Sequence, residues 1–170
     1  NSEKDAKDKA AKYMQEKNIV VACGGDGLMN IVAHQAILNN SIFLVNPISG
    51  KLSLKKKIII INNVIKGTKA KVVITNSEKD AKEKAAKYMQ EKNIVVACGG
   101  DGLMNIVAHE AILNNCIMGV FPFGRGNDFA SSLNIFSFNE IIKSFKSPSI
   151  IKVKYIDVNF KNYSRISLTC

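Results

Sequence analysis

Three short clusters hold the residues whose types and spacing could do chemistry: Asn46-Pro47-Ile48-Ser49-Gly50, Gly99-Gly100-Asp101-Gly102, and Pro122-Phe123-Gly124-Arg125-Gly126-Asn127-Asp128. The middle cluster is the most telling. An apolar run, Val95-Val96-Ala97-Cys98, ends in the glycine turn, and a helical pattern opens directly after it at Leu103-Met104-Asn105. Glycines let backbone approach a ligand closely and adopt positive φ. The helix start behind them offers unpaired N–H groups and the positive end of a dipole, which together hold a phosphate. Asp101 inside that turn opposes a bare phosphate but suits one carried with a cation such as Mg²⁺. The pattern therefore points to a metal–nucleotide complex rather than a free anion.

The elements that must position these clusters follow from the apolar periodicity. Strands are expected at Ile42–Val45, Lys71–Thr75, Ile94–Cys98, Met118–Phe121 and along Ile150–Phe160, the last running to a chain end at Cys170 with no closing element. Helices are expected at Leu52–Ile65, around Phe138–Phe145, after Ser77 and after the glycine turn. Ser77 and Asp80 resemble a capping box, with Asp in the usual Glu place. Ala81, Ala85, Tyr88 and Met89 recur at helical spacing on one face, and Met104, Val107, Ala108, Ala111 and Ile112 form a second apolar stripe, which Asn114-Asn115 ends. The Ile58–Ile61 run blurs the period of the basic amphipathic helix that Gly67 stops. Strands apolar throughout suit a parallel sheet covered on both faces, and the β-α-β-α-β-α-β alternation predicts an α/β fold. In such sheets ligands bind at the carboxyl ends of the strands. Loops 46–50, 99–103 and 122–128 all fall there, and three loops converging on one edge outweigh any single glycine motif.

Residues 1–40 repeat as residues 76–115 at an offset of 75, with 38 of 40 positions identical; Asp8 faces Glu83 and Gln35 faces Glu110. The copies diverge at once beyond that stretch, so this is not a solenoid repeat. Both carry the same apolar faces and compete for one slot beside the Ile42–Val45 strand. The copy left out must extend the sheet edge, stay loose, or fill the slot of a second molecule, and the last of these, exchange of identical elements at low cost, gives a swapped homodimer. The turn Gly24-Gly25-Asp26-Gly27 and His34 are the duplicates of the second turn and of His109; a packing role on the helix is expected for both histidines.

Composition narrows the class. The chain has 170 residues, 46% hydrophobic and 22% charged, with a formal net charge of +10, an ordinary soluble composition with length enough for one core. No apolar run reaches the roughly 18 residues of a membrane span, no signal peptide is evident, and Asn1 at the start suggests a fragment or processed chain. The positive charge suits an anionic lipid surface, or reflects a Lys-, Ile- and Asn-rich composition. No aromatic-interleaved basic patch or nucleic-acid motif is present, so nucleic acid is set aside. Cys23, Cys98, Cys116 and Cys170 have no metal-ligand spacing, and buried free thiols in a reducing compartment are expected. Walker A and protein-kinase signatures are absent.

In order and spacing, Asn46–Gly50, Gly99–Gly102 and Pro122–Ala130 together resemble the diacylglycerol kinase catalytic domain family, which includes bacterial lipid kinases and sphingosine and ceramide kinases. A lone GGDG would be shared with NAD kinases and phosphofructokinases, and an NAD kinase-like enzyme and an inactive nucleotide-binding module are the alternatives. The resemblance covers about residues 41–170. It implies a Rossmann-like parallel sheet with helices on both faces, organised as a duplicated segment 1–40, a nucleotide-binding domain 41–150, and a β-rich domain beginning at 151–170 and cut short. It implies ATP-dependent phosphorylation of a lipid hydroxyl such as diacylglycerol, with Mg²⁺, by an enzyme that is cytoplasmic and peripheral at the membrane. Residue by residue it implies nucleotide contacts for Asn46, Ser49, Gly50, Gly99, Gly100, Gly102, Gly124, Gly126, Asn127 and Asp128. Asp101 takes the catalytic and metal role, and the general base lies in the second domain, outside this chain. The chain departs from the family pattern at Leu103 (frequently Thr, though sphingosine kinases agree), at Ile106 (frequently an acid) and at Arg125 (frequently Thr), which could grip phosphate bidentately or crowd the nucleotide.

Overall fold

The computed structural model describes residues 37–146, 155–160 and 163–168. The first GGDG copy, with Cys23, Asp26 and His34, lies outside the described residues, as does the segment exchange expected of it. Cys170 is outside them too.

Four strands build one parallel sheet: β1 (Ser41–Val45), β2 (Lys71–Ile74), β3 (Ile94–Gly99) and β4 (Met118–Pro122), in the order β2-β1-β3-β4. β1 pairs with β3 from Ser41↔Ile94 to Val45↔Cys98, and β3 with β4 from Val95↔Met118 to Gly99↔Pro122. The slot beside β1 is therefore filled by the second sequence copy. Successive strand residues serve opposite faces, and both faces are apolar. Leu44, Val95 and Ala97 join a core with α2 (Glu78–Gln90) and α3 (Asp101–Leu113), through Ala81, Ala85, Met89, Met104 and Val107. Phe43, Val45, Val96, Cys98 and Phe121 join a second core with α1 (Leu54–Ile65) and α5 (Phe138–Lys146), through Ile61 and Ile141. The expected α/β sandwich with helices on both faces is what the chain forms.

Local chemistry explains the boundaries. Ser53 caps α1, accepting from Lys56 N, so the helix starts at Leu54 and not at Leu52. Ser77 Oγ accepts from Asp80 N at 3.1 Å, as a capping box requires, but Asp80 returns its bond to Asn76 N, at 2.8 Å, one residue before the cap. The shorter Asp side chain replaces Glu in a box with a shifted partner. Lys84 also bonds Asp80, and these bonds hold its carboxyl below the usual carboxylate range. Two elements were not anticipated. A short helix α4 (Asp128–Ser132) stands inside what reads as the third loop, and β6 (Tyr163–Leu168) pairs antiparallel with β5 (Tyr155–Phe160), apart from the parallel sheet. On α3, Ile112 is only half-buried, and Glu110, outside the apolar stripe and in the wall of a cleft, is buried as well. No helix among the described residues is long and apolar enough to cross a membrane.

Candidate functional site

Strand order creates the site. β1 and β3 are neighbours, yet β1 leads into α1 on one face and β3 into α3 on the other. Their connections part at the carboxyl edge and leave a crevice, the position at which open α/β sheets bind ligands. The ladder runs on past the strand ends: Asn46 N donates to Cys98 O at 3.0 Å, Thr75 N to Val45 O at 2.9 Å, and Phe123 N to Gly99 O at 2.8 Å. Each strand-end loop is thus tied to its neighbour.

The three expected clusters meet in this crevice. Gly50 sits at φ +65° against the backbone of Phe123, where an added Cβ would overlap the Phe123 carbonyl oxygen. Gly124 lies on Gly100, and a Cβ there would come within 2.5 Å of the Gly100 Cα and of Asn127 Oδ1. Glycine is required at both positions for loop to rest on loop. Asp101 links the second cluster to the third, accepting from Asp128 N at 3.3 Å and from Phe129 N at 3.2 Å. It thereby caps α4, for which Asn127, at φ 57°, supplies no side-chain cap. The amide of Asn127 donates to Gly124 O at 3.1 Å, while its Oδ1 is buried and accepts no hydrogen bond among the described residues. The Asp101 and Asp128 carboxylates both flank Gly126.

A cleft of about 580 Å³ opens beside this junction. Its walls are Asn46–Ile48, Thr75–Glu78 with Ala81 and Lys82, and the α3 residues Gly102, Leu103, Asn105, Ile106, His109 and Glu110. Among the described residues nothing lies within 4 Å of the place a Cβ of Gly102 would take, and no side chain caps the N-terminus of α3 at Gly100. Open space in front of an uncapped helix start is suited to an anion.

The expected residues divide by position. Asn46 and Gly102 line the cleft; Gly50, Gly99, Gly100 and Gly124 build the junction; Asp101, Gly126, Asn127 and Asp128 form the α4 corner. Ser49 turns inward, its hydroxyl donating to Asn46 O at 3.0 Å, and Asn46 Oδ1 accepts from Ile48 N at 3.1 Å. Both side chains hold the first loop's own shape. Arg125 is exposed and makes no hydrogen bond or ion pair among the described residues. His109 is half-buried, with Nδ1 3.2 Å from Glu110 Oε1. Cys98 is fully buried, and burial holds its thiol well above its ordinary pKa, so it stays protonated.

Two parts of the site were missed. The end of β2 (Thr75, Asn76, Ser77) reads as strand and helix cap, yet the carboxyl-end rule applies to it as to the other three strands. Lys57 reads as one of three consecutive lysines on a basic helix. In the structure it is fully buried beneath the first loop, donating to Asn46 O, Pro47 O and Ser49 Oγ.

The profile of the diacylglycerol kinase catalytic domain matches residues 40–158. No curated protein matches the chain. The fold is similar to a crystal structure of a diacylglycerol kinase from Bacillus anthracis str. Sterne, at 18% identity and a TM-score of 0.57. A second crystal structure described under that enzyme name, from the same organism, is 20% identical with a TM-score of 0.57. Each match covers 70% of this chain and 44% of the other, so the chain spans less than half the length of those structures. With the three loops brought together in the expected order and the profile spanning most of the chain, the protein belongs to the diacylglycerol kinase catalytic domain family.

Proposed function

We propose that this chain is the nucleotide-binding half of an ATP-dependent lipid kinase, residues 41–150 holding Mg²⁺–ATP and residues from 151 onward opening the lipid-binding domain. The observation that carries the reading is the loop junction at the β1/β3 crevice, with an open cleft beside it and an uncapped helix start facing open space at Gly102. Phosphoryl transfer needs positioning and charge neutralisation more than covalent chemistry, and these loops offer both. The α3 N-terminus and the glycine amides would take phosphate oxygens. Asp101 and Asp128, with the unpartnered Oδ1 of Asn127, supply hard oxygen donors. Among the described residues no group of three His, Cys, Asp or Glu side chains could hold a metal alone. That donor set suits Mg²⁺, which is held by one or two carboxylates together with substrate phosphates and keeps several waters. The ion would neutralise phosphate charge.

Calorimetric titration of Mg²⁺–ATP into the chain tests the reading. Saturable one-site binding that is lost when Mg²⁺ is omitted is expected, and no binding overturns it. Phosphate transfer to diacylglycerol in mixed micelles then separates a competent kinase from the second reading, a module that binds nucleotide without turnover.

A membrane-side location is part of the same proposal. Residues 41–77 contain seven lysines and no acid. Lys55, Lys56 and Ile59 are exposed on α1, Lys66 is exposed just past its end, and Ile48, at the mouth of the cleft, is 88% exposed. Each lysine near an anionic bilayer contributes about 1 kcal/mol. The chain should sediment with phosphatidylglycerol-containing vesicles at low salt and release as salt rises. Equal sedimentation with purely zwitterionic vesicles would remove the basic face from the account.

A further inference from the structure

Lys57 stands in the first turn of α1 and is 0% exposed. An ammonium has three N–H donors and no acceptor. All three are matched: Asn46 O lies at 2.9 Å, Pro47 O at 3.0 Å and Ser49 Oγ at 3.0 Å. The Phe123 ring, from the third loop, has its centroid 5.8 Å from Nζ. Every partner is neutral, and no carboxylate among the described residues pairs with Lys57. A buried cation without a counter-ion is a cost to the fold, and burial pushes the Lys57 pKa below that of an ordinary lysine. The fold carries that penalty at neutral pH, where Lys57 is charged in both states. It recovers stability as pH rises from the depressed folded pKa toward the unfolded value of 10.5. Stability alone does not account for the residue, since Met would fill similar space without the charge. What Lys57 does is draw three oxygens of one loop onto a single point. The amides of Ser49, Gly50 and Lys51 in that loop make no hydrogen bond among the described residues.

We propose that Lys57 is a positioning residue that pins the Asn46–Gly50 loop in the shape forming one wall of the cleft, leaving the loop's amides available to an anionic ligand. In its binding arm the inference rests on the nucleotide reading of that cleft; in its structural arm it does not.

Lys57→Met tests it in the full chain. The variant is expected to keep its thermal midpoint, or raise it, while amide exchange at Asn46 and Ile48, the loop's hydrogen-bonded amides, quickens about tenfold and Mg²⁺–ATP affinity falls about tenfold. A structural role alone gives the opposite split: a lower midpoint with unchanged affinity in the folded protein. The parent's affinity should weaken as pH rises through the depressed Lys57 pKa, and the variant's should stay flat. The other titratable group facing Lys57 is Cys98, whose thiol is already held protonated by burial. If Lys57→Met does not fold, the parent's protection at Asn46 and Ile48, exchange relative to the base-catalysed rate of an unfolded chain at each pH, decides: protection that falls as Lys57 deprotonates supports the pin, and protection that stays constant overturns it. If the parent binds no Mg²⁺–ATP, the nucleotide reading fails, and the pin stands or falls on amide exchange. Unchanged exchange at Asn46 and Ile48 in Lys57→Met overturns it.

Discussion

Gly50→Ala should cost about 3–5 kcal/mol of stability, at the severe end for a single substitution, while Gly67→Ala should cost only about 1–2 kcal/mol. The two glycines share a backbone requirement: Gly50 has φ +65° and Gly67 φ +78°. An alanine in the left-handed region carries the same penalty at either site. Their surroundings differ. Among the described residues nothing lies within 4 Å of a Cβ at Gly67, whereas at Gly50 the methyl overlaps the carbonyl oxygen of Phe123 and reaches its carbonyl carbon at 3.0 Å. That neighbour is main chain and cannot rotate away. Phe123 is held by its N–H bond to Gly99 O, and its ring stacks on Phe121 at 4.9 Å between centroids. Relief requires the first and third loops to part, which opens the crevice. Urea unfolding of both variants measures the difference. At about 2–4 °C per kcal/mol for a chain of this size, it should also appear as a clear gap in melting temperature. Equal losses at the two positions would show that the loops do not bear on one another.

Much of this architecture was legible because parallel strands buried on both faces are apolar throughout, and each is followed by residues that cannot continue a strand. β3 and its glycine turn are the clearest case. The unanticipated parts have specific causes. α4 spans five residues, too short to show a helical period, and its cap comes from Asp101, 27 residues before Asp128. Lys57 is hidden by composition: in Lys55-Lys56-Lys57 only the spacing to Ile61, one turn on and equally buried, marks it as inward-facing. The isoleucine run masks even that, since Ile59 in the same run is 51% exposed. The β2 end was overlooked because Ser77 has an evident local use as a helix cap, and a residue that caps a helix can also stand in the wall of a cleft.

The Asp101 substitutions carry the largest expected effect on ligand binding, and they separate two roles that the geometry superimposes. The carboxylate accepts from Asp128 N and Phe129 N, so it is a helix cap; it also stands beside Gly126 with Asp128, where a phosphate-borne cation would be neutralised. Asp101→Ala removes both functions. Loss of a cap costs about 1 kcal/mol, and the third loop should loosen. Asp101→Asn keeps an acceptor oxygen for α4 and removes only the charge, so its stability should lie closer to the parent's. If the charge serves Mg²⁺–ATP, both variants should lose binding alike, by roughly ten- to hundredfold, the scale of interactions worth about 1.5–3 kcal/mol. If Asp101 is only a cap, Asp101→Asn should bind almost as the parent does and Asp101→Ala alone should weaken, in step with its stability. Asp26→Ala, the same change in the first copy, supplies the control. With the second copy seated between β1 and β4, binding should survive Asp26→Ala unchanged. Loss of binding in that variant would mean that the first copy competes for the same slot in solution.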